Sequence, residues 1–297
     1  MSKARLVITA VLIEGRSQSQ VARDYGVSQS WISRLIKRYT YEGDAAFEPR
    51  SRRPHTSPNR LPQATIDLIV ALRTELTGKG LDAGPHTIAW HLEHHHRTHV
   101  SVASISRHLT AAGLVEPTPQ KRPKSSYIRF AAEQPNERWQ ADFTHWHLAG
   151  GHHIEILCWI DDHSRYAISL TAHRRITTPI VLAEFTKATA THGIPHSTLT
   201  DNGLVFTTRL AGRKGGRNTF ENELRRLGVR QINSTPNHPT TCGKVERLHQ
   251  TLKRWLLRQP KAATIEELQT QLDAFADEYN HRRPHRSLPH RATPATA

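Results

Sequence analysis

Apolar residues recur at helical spacing through about the first 115 residues, and the pattern changes to short strand-like runs after residue 136. Residues 3–14 form the first helical pattern. A second pattern ends at Gly26, which can adopt the positive φ of a tight turn. A third begins after Ser28, a favourable N-cap. This order predicts a helix-turn-helix domain over residues 1–49, and an ordinary three-helix bundle is the alternative.

The second helix of a helix-turn-helix lies in the major groove of DNA, with its first turns towards the base edges. We therefore predict DNA contacts from the polar side of the helix that follows Ser28. Four residues are expected near base edges or phosphates: Gln29, Ser30, Ser33 and Arg34. Lys37 and Arg38 are expected to reach the DNA backbone.

A second helical unit is predicted over residues 63–115, with helices at about 63–77, 84–96 and 101–112. It suits a second helix-turn-helix or a winged variant, and its last helix would expose Arg107 towards DNA. Five histidines around the middle helix could suggest a metal site. They lack the flanking carboxylate pattern of a known metal motif, so we favour a solvated helix end. The histidines are His91, His94, His95, His96 and His99.

Two segments rich in proline and basic residues, 50–62 and 116–135, are predicted linkers because they have almost nothing to bury. In the first linker, Arg52 and Arg53 could lie along a DNA groove. A solvated spacer explains this composition equally well.

The remaining segment, 136–297, has the pattern of a mixed α/β domain with a five-stranded sheet and a helical tail. Strands and helices alternate in an order that is neither all-α nor all-β. The predicted strands are 138–148, 153–161, 166–171, 197–201 and 230–234, and the predicted helices are 179–192, 218–227, 244–257 and 264–279.

The charge of the chain indicates a polyanionic partner. Among 297 residues there are 41 Lys and Arg against 26 Asp and Glu, a formal net charge of +15 that both halves share. Basic side chains that neutralise phosphates release counterions and supply affinity for nucleic acid, although a generally basic proteome would also raise the charge. Two cysteines, Cys158 and Cys242, make a disulfide framework implausible. With no long apolar run and no signal-peptide pattern, we expect a cytoplasmic protein without a membrane partner.

Three acidic residues stand at or near the ends of predicted elements, where they oppose phosphate binding unless they have another task. Asp142 lies in the first strand, Asp201 closes the fourth, and Glu246 is in the first turn of a long helix. If the fold gathers them, their mutual repulsion calls for divalent cations, and hard oxygen ligands suit Mg²⁺ or Mn²⁺. The rival pair Asp161 and Asp162 sits between two strands, where we favour a structural role in the turn.

Four stretches in this order resemble the integrase-core DDE transposases, and especially the IS481 group of bacterial insertion sequences, which is related to the IS3 group and to retroviral integrases. The stretches are Trp139-Gln-Ala-Asp142-Phe-Thr, Leu199-Thr-Asp201-Asn-Gly, residues 234–250 around Glu246, and Tyr279-Asn-His-Arg-Arg-Pro-His-Arg-Ser-Leu288. The resemblance covers about residues 132–290.

The resemblance implies an RNase H-like fold in which Asp142, Asp201 and Glu246 bind two Mg²⁺ ions, with Mn²⁺ as a possible substitute. It also implies that the enzyme recognises the inverted repeats of a transposon. Water would cut the phosphodiester at the transposon end, and the freed 3′ hydroxyl would attack target DNA. Because two ends must be held together, at least a dimer is implied, acting on double-stranded DNA at the bacterial nucleoid.

The spacing from Asp201 to Glu246 is 45 positions, about ten more than the common family pattern. The extra length is a basic glycine-rich loop, 209–217, which we interpret as a DNA-contacting insertion through Arg213, Lys214 and Arg217; a mobile solvent loop is the alternative. Around the Glu246 helix, further DNA contacts are predicted, against the alternative of a solvated basic face. These residues are Lys244, His249 and Lys253.

Two other functions fit the same pattern less well. A DNA-binding regulator, or a catalytically silent relative of a transposase, would use the helical units without chemistry, but all three acidic residues are present. A nuclease for RNA–DNA hybrids would not need two sequence-reading units.

Overall fold

The computed structural model describes residues 2–49, 60–115, 131–209, 216–233 and 243–297. The chain forms two compact units, Met1–Arg60 and Leu61–Ala297. Within the described ranges, none of the helices combines the length and apolar character needed to cross a membrane. The linker arginines Arg52 and Arg53, the loop residues Arg213 and Lys214, and Cys242 lie outside the described residues.

The first unit contains three α-helices joined by short turns. They are α1 (Lys3–Ile8), which continues as a π-helical turn (Thr9–Ile13), α2 (Gln18–Tyr25) and α3 (Gln29–Glu42). The predicted cap is present, since the Ser28 hydroxyl accepts a hydrogen bond from the Trp31 N–H at 3.2 Å. Gly26 has a φ of +59° at the turn between α2 and α3. The helix-turn-helix predicted from the sequence is therefore confirmed.

The second unit begins with another three-helix group, α4 (Gln63–Gly78), α5 (Pro85–His96) and α6 (Val102–Ala111). The group has its own apolar core, which explains why the sequence pattern alone located its helices. The fully buried members of this core are Ile69, Ile88, Leu92, Ile105 and Leu109.

The sheet of the second unit has the order β3-β2-β1-β4-β5. Strand β2 is antiparallel to both β1 and β3, whereas β4 is parallel to both β1 and β5. This is the mixed five-stranded sheet predicted above. Its strands are β1 (Arg138–His147), β2 (His153–Asp161), β3 (Ala167–His173), β4 (Ser197–Thr200) and β5 (Arg230–Asn233).

Helices cover both faces of this sheet. Two helices, α7 (Thr178–His192) and α8 (Thr219–Arg226), pack against one face, where Trp139 and Trp159 are fully buried. The other face packs against α9 (Gly243–Leu256) and α10 (Ile265–Asp277). Because successive side chains of a strand point to opposite faces, β1 sends alternate residues into two different cores.

The second helical group is fastened to α9 and to the C-terminal tail. Asp82 forms an ion pair with Arg283 at 2.5 Å and another with Arg254 at 3.2 Å. Next to it, Gly80 lies so close to α9 that a Cβ there would stand 2.7 Å from the Arg254 carbonyl oxygen. Only glycine fits this approach, so the group is held as part of the larger unit.

Candidate active site

The sheet brings Asp142 and Asp201 to adjacent positions. Parallel pairing of β1 with β4 places Ala141 opposite Thr200, and each of the two aspartates follows directly in the chain. Helix α9 packs over β1 and carries Glu246 in its first turn. One helix and two neighbouring strands thus supply the three carboxylates that the sequence singled out.

The pKa of Asp142 is shifted by its surroundings in this site. Burial in the core is the main cause that raises its pKa from 3.8 to about 6, and the negative charges of Asp201 and Glu246 raise it further. One hydrogen bond from the Phe143 N–H, at 2.8 Å, acts in the opposite direction. The carboxylate oxygens of Asp142, Asp201 and Glu246 are not all within 4.8 Å of one another, so the three side chains are loosely grouped.

Asp201 is oriented by the turn that follows β4. The Gly203 N–H donates to its Oδ1 at 2.9 Å, and a Cβ on Gly203 would stand 3.0 Å from that same oxygen. The Asp-Asn-Gly sequence therefore fits this turn because the glycine lets the backbone approach the carboxylate. Glu246 is exposed and lies in the first turn of α9.

His249 lies beside Asp142 rather than on the outer surface. Its Nδ1 is 4.0 Å from Asp142 Oδ2, too far for a hydrogen bond, and its buried Nε2 has no hydrogen-bond partner among the described residues. Burial and then the nearby Lys253 ammonium lower the His249 pKa to about 4. This histidine is therefore neutral at pH 7 and does not neutralise the carboxylates.

Asp161 and Asp162, the rival carboxylates, are 2% exposed and fully engaged. Asp161 Oδ1 accepts bonds from the N–H and hydroxyl of Ser164 at 2.7 and 2.8 Å. Asp162 accepts a bond from the Ala132 N–H at 2.6 Å and forms an ion pair with Lys244 at 2.5 Å. The structural role expected for this pair from the sequence matches these contacts.

The same network positions α9. Gln140 donates to Asp162 Oδ1 at 2.5 Å, and its carbonyl oxygen accepts a bond from the Val245 N–H at 3.4 Å. Lys244 thus has an internal partner instead of the phosphate predicted above, and burial is the main reason that its pKa is lowered. The sequence analysis did not identify Gln140, because its contacts depend on residues 22 and 105 positions away.

The other residues predicted to contact DNA fall into two groups. On α3, Arg38 is half-buried and donates to the carbonyl oxygens of Ala45 and Glu48, which ties it to its own unit. Lys253 is half-buried near His249. The remaining described residues of that set are exposed: Gln29, Ser30, Ser33, Arg34, Lys37, Arg107 and Arg217.

Comparison with known protein families adds a further observation. The family described as "Integrase core domain" matches residues 132–239 and, in a second form, residues 227–294. A "Helix-turn-helix domain" matches residues 3–55 and a "Homeodomain-like domain" matches residues 31–109.

Individual relatives agree with these matches. The chain is 28% identical over 195 residues to a Gag-Pro-Pol polyprotein of Human T-cell leukemia virus 3, covering 66% of this chain and only 13% of that polyprotein. It is 24% identical to the transposase for insertion sequence IS1202 of Streptococcus pneumoniae, covering 94% of this chain and 67% of the transposase. Among solved structures, a chain of the simian T-cell lymphotropic virus intasome in complex with the PP2A regulatory subunit B56 gamma matches with 22% identity, 66% coverage of each chain and a TM-score of 0.47.

Proposed function

From the premise that this chain carries an integrase core domain and belongs with the transposases and integrases, we propose that it is a DNA transposase. It would bind the terminal inverted repeats of an insertion sequence, cut the DNA at those ends, and join them to target DNA. The observation that carries this proposal is that neighbouring strands β1 and β4 bring Asp142 and Asp201 side by side, with Glu246 on the helix α9 that packs over β1. Burial, together with the charges of Asp201 and Glu246, raises the pKa of Asp142 to about 6.

The donor set fits divalent cations. Asp142, Asp201 and Glu246 lie near one another, and the nearest histidine, His249, is neutral at pH 7. His249 therefore does not balance the negative charge of the three carboxylates. All three offer hard oxygen ligands, which suit Mg²⁺ and also Mn²⁺. Asp142, Asp201 and Glu246 would hold the ions, and two ions are our expectation for in-line phosphoryl transfer. When bound, the ions would supply positive charge that stabilises the transition state at the phosphate.

The chain's own residues set up this site. Gln140 and the Lys244–Asp162 pair fix the start of α9, so Glu246 enters from a defined direction. The turn at Gly203 holds one oxygen of Asp201 and leaves Oδ2 for a ligand. His249 is buried beside Asp142, with its Nδ1 4.0 Å from Asp142 Oδ2.

DNA binding would come chiefly from the helical units. The exposed polar face of α3 is suited to the major groove, and Arg107 on α6 offers a second contact. Both cleavage and joining act on double-stranded DNA, and holding two ends calls for at least a dimer. On the motifs quoted above, we assign the chain to the IS481 group and expect it to act at the bacterial nucleoid.

The experiment is a cleavage and joining assay with a duplex that carries the ends of the element, taken from the DNA that flanks the gene. The unmodified protein in Mg²⁺ should cut and join this duplex. Asp142→Asn, Asp201→Asn and Glu246→Gln should each lose at least about 10³-fold in rate, because ion binding contributes several kcal/mol at the transition state. End binding, measured by gel shift, should persist in all three.

Two results would reject the proposal. One is binding of the end duplex by a folded protein that never cuts it, which would favour a regulator. The other is full activity in any of the three variants, which would remove that residue from the site.

A further inference from the structure

A second group of metal-binding side chains lies on the sheet face opposite Asp142. His145 on β1 and His153 and Glu155 on β2 each offer one ligand atom, and these atoms all lie within 4.8 Å of one another. No other trio of His, Cys, Asp and Glu side chains in the described parts of the chain meets this distance. Strand alternation separates the two sites, because His145 is an odd number of residues from Asp142 on the same strand.

The antiparallel ladder between β1 and β2 creates the cluster. His145 is paired directly with Glu155, and His153 is paired with His147 two residues further along. Side chains in direct and diagonal positions on one face of an antiparallel pair reach each other. The rings of His145 and His153 accordingly have centroids 4.7 Å apart, inclined by 34°.

The ligand atoms are available. Among the described residues, the ring nitrogens of His145 and His153 form no hydrogen bond, and both side chains are exposed. Glu155 is half-buried, and its Oε2 accepts a bond from the Ile176 N–H at 2.5 Å, which orients the carboxylate and leaves Oε1 for a ligand. His173, the partner of Glu155 on β3, is not part of this group, because its ring nitrogens do not lie within 4.8 Å of all three ligand atoms.

We propose that His145, His153 and Glu155 bind one late transition-metal ion, for which Zn²⁺ is the best fit. Two imidazoles and one carboxylate form a ligand set typical of zinc, with a fourth position left for water. Mg²⁺ would avoid the site because it prefers oxygen ligands. The site is separate from the Asp142 carboxylates and does not depend on the transposase activity.

The bound ion would join the two strands at the turn end of the β1–β2 hairpin, where His147 pairs with His153. An ion held by two strands binds the folded chain in preference to the unfolded chain, so it stabilises the sheet by mass action. Because Asp142 lies three residues before His145 on β1, the same ion would also steady the strand that carries the active-site carboxylate. The predicted role is therefore structural.

The test uses full-length protein stripped of metal with a chelator and titrated with Zn²⁺ by calorimetry. One Zn²⁺ per chain should bind and raise the Tm, and Co²⁺ at the same site should give a visible absorption spectrum. His145→Ala, His153→Ala and Glu155→Gln should each weaken binding by at least about 100-fold, since changes further from a metal already cost 10–100-fold. Because the two histidines are exposed, circular dichroism should be unchanged in their variants.

Two control variants test where the Zn²⁺ ion binds. His152→Ala removes an exposed histidine next to the cluster, and His95→Ala removes one from α5, so both should keep the full affinity. The proposal fails if the stripped protein binds no Zn²⁺, or if His153→Ala binds as tightly as the unmodified chain. It also fails if His95→Ala abolishes binding, because the ion would then belong to the α5 histidines.

Discussion

Two pairs of neighbouring acidic groups in this protein differ in what surrounds them. Asp161 and Asp162 are almost fully buried, yet backbone N–H groups, a hydroxyl, an amide and one ammonium satisfy their oxygens. Asp142 and Asp201 are less buried and stand close to each other and to Glu246, and no Lys or Arg of the described residues forms an ion pair with them. Carboxylates whose oxygens are all engaged by internal donors serve the fold. Asp142 and Asp201 each accept one backbone N–H bond and face other carboxylates, so their remaining oxygens are suited to a ligand from outside.

The two sets are also physically connected. Helix α9 begins with Lys244, which pairs with Asp162, and two residues later it presents Glu246 to the active site. Gln140 bonds to Asp162 and is two residues before Asp142 on β1. The Asp161–Asp162 pair therefore supports the two elements that carry Asp142 and Glu246.

The largest expected effect is a loss of folding stability when the Asp162–Lys244 ion pair is broken. Asp162→Asn leaves the buried Lys244 ammonium without its counter-charge, which typically costs about 3–5 kcal/mol of unfolding free energy. Urea unfolding followed by circular dichroism measures this loss. The double variant Asp162→Asn/Lys244→Met should recover much of it, because both charges are then gone. A single variant within about 1 kcal/mol of the unmodified chain would show that the pair is not a support.

A smaller effect of opposite sign is expected in the active site. The pKa of Asp142 is about 6 in the folded chain against 3.8 as an ordinary value. The folded chain therefore binds this proton more tightly, and stability falls as the pH rises from about 4 to about 6. Without divalent ions, Asp142→Asn should stabilise the protein at pH 7.5 by up to about 3 kcal/mol.

This gain should fall to a small fraction of its size at pH 4, where the carboxyl group is protonated in the folded chain and about half protonated in the unfolded chain. Thermal unfolding of the two proteins at both pH values, in chelator, measures the difference. If Asp142→Asn is less stable at pH 7.5 than the unmodified chain, the carboxylates do not repel one another as described.

The smallest expected effect is on DNA binding, and it compares two basic side chains of α3, Lys37 and Arg38. Lys37 is exposed and has no ion-pair partner among the described residues, whereas Arg38 donates to backbone carbonyls of its own unit. Lys37→Ala should weaken DNA binding and lower the slope of log K against log salt by about 1, with little change in stability. Arg38→Ala should instead lower the Tm. The distinction fails if Lys37→Ala leaves the salt slope unchanged.

The sequence predicted most elements because their signals are local. Ser28 and Gly26 mark the start of α3 and the turn before it, and a nearly continuous apolar run marks β2 over the same residues that the structure assigns. The three acidic residues could be selected because each one stood in or at the end of a predicted element in a basic chain. Their convergence requires that β1 and β4 be neighbours and that α9 pack over β1.

What the sequence did not predict depends on long-range register. The partner of Lys244 is 82 positions away, and Asp82 meets Arg283 across 201 positions. The cluster of His145, His153 and Glu155 requires the exact pairing of β1 with β2, since a shift of one residue would send these side chains to different faces. No local pattern contains that information.

The central claim is that Asp142, Asp201 and Glu246 are the ligands of divalent cations. Calorimetric titration of the metal-free protein with Mg²⁺ tests this claim most directly. The unmodified chain should bind Mg²⁺ at pH 7.5 and lose affinity as the pH falls below about 6, where Asp142 takes up a proton. Asp201→Asn and Glu246→Gln should bind far more weakly, and Glu266→Gln, an exposed change on α10, should bind normally. Equal Mg²⁺ affinity in Asp201→Asn and the unmodified chain would contradict the account.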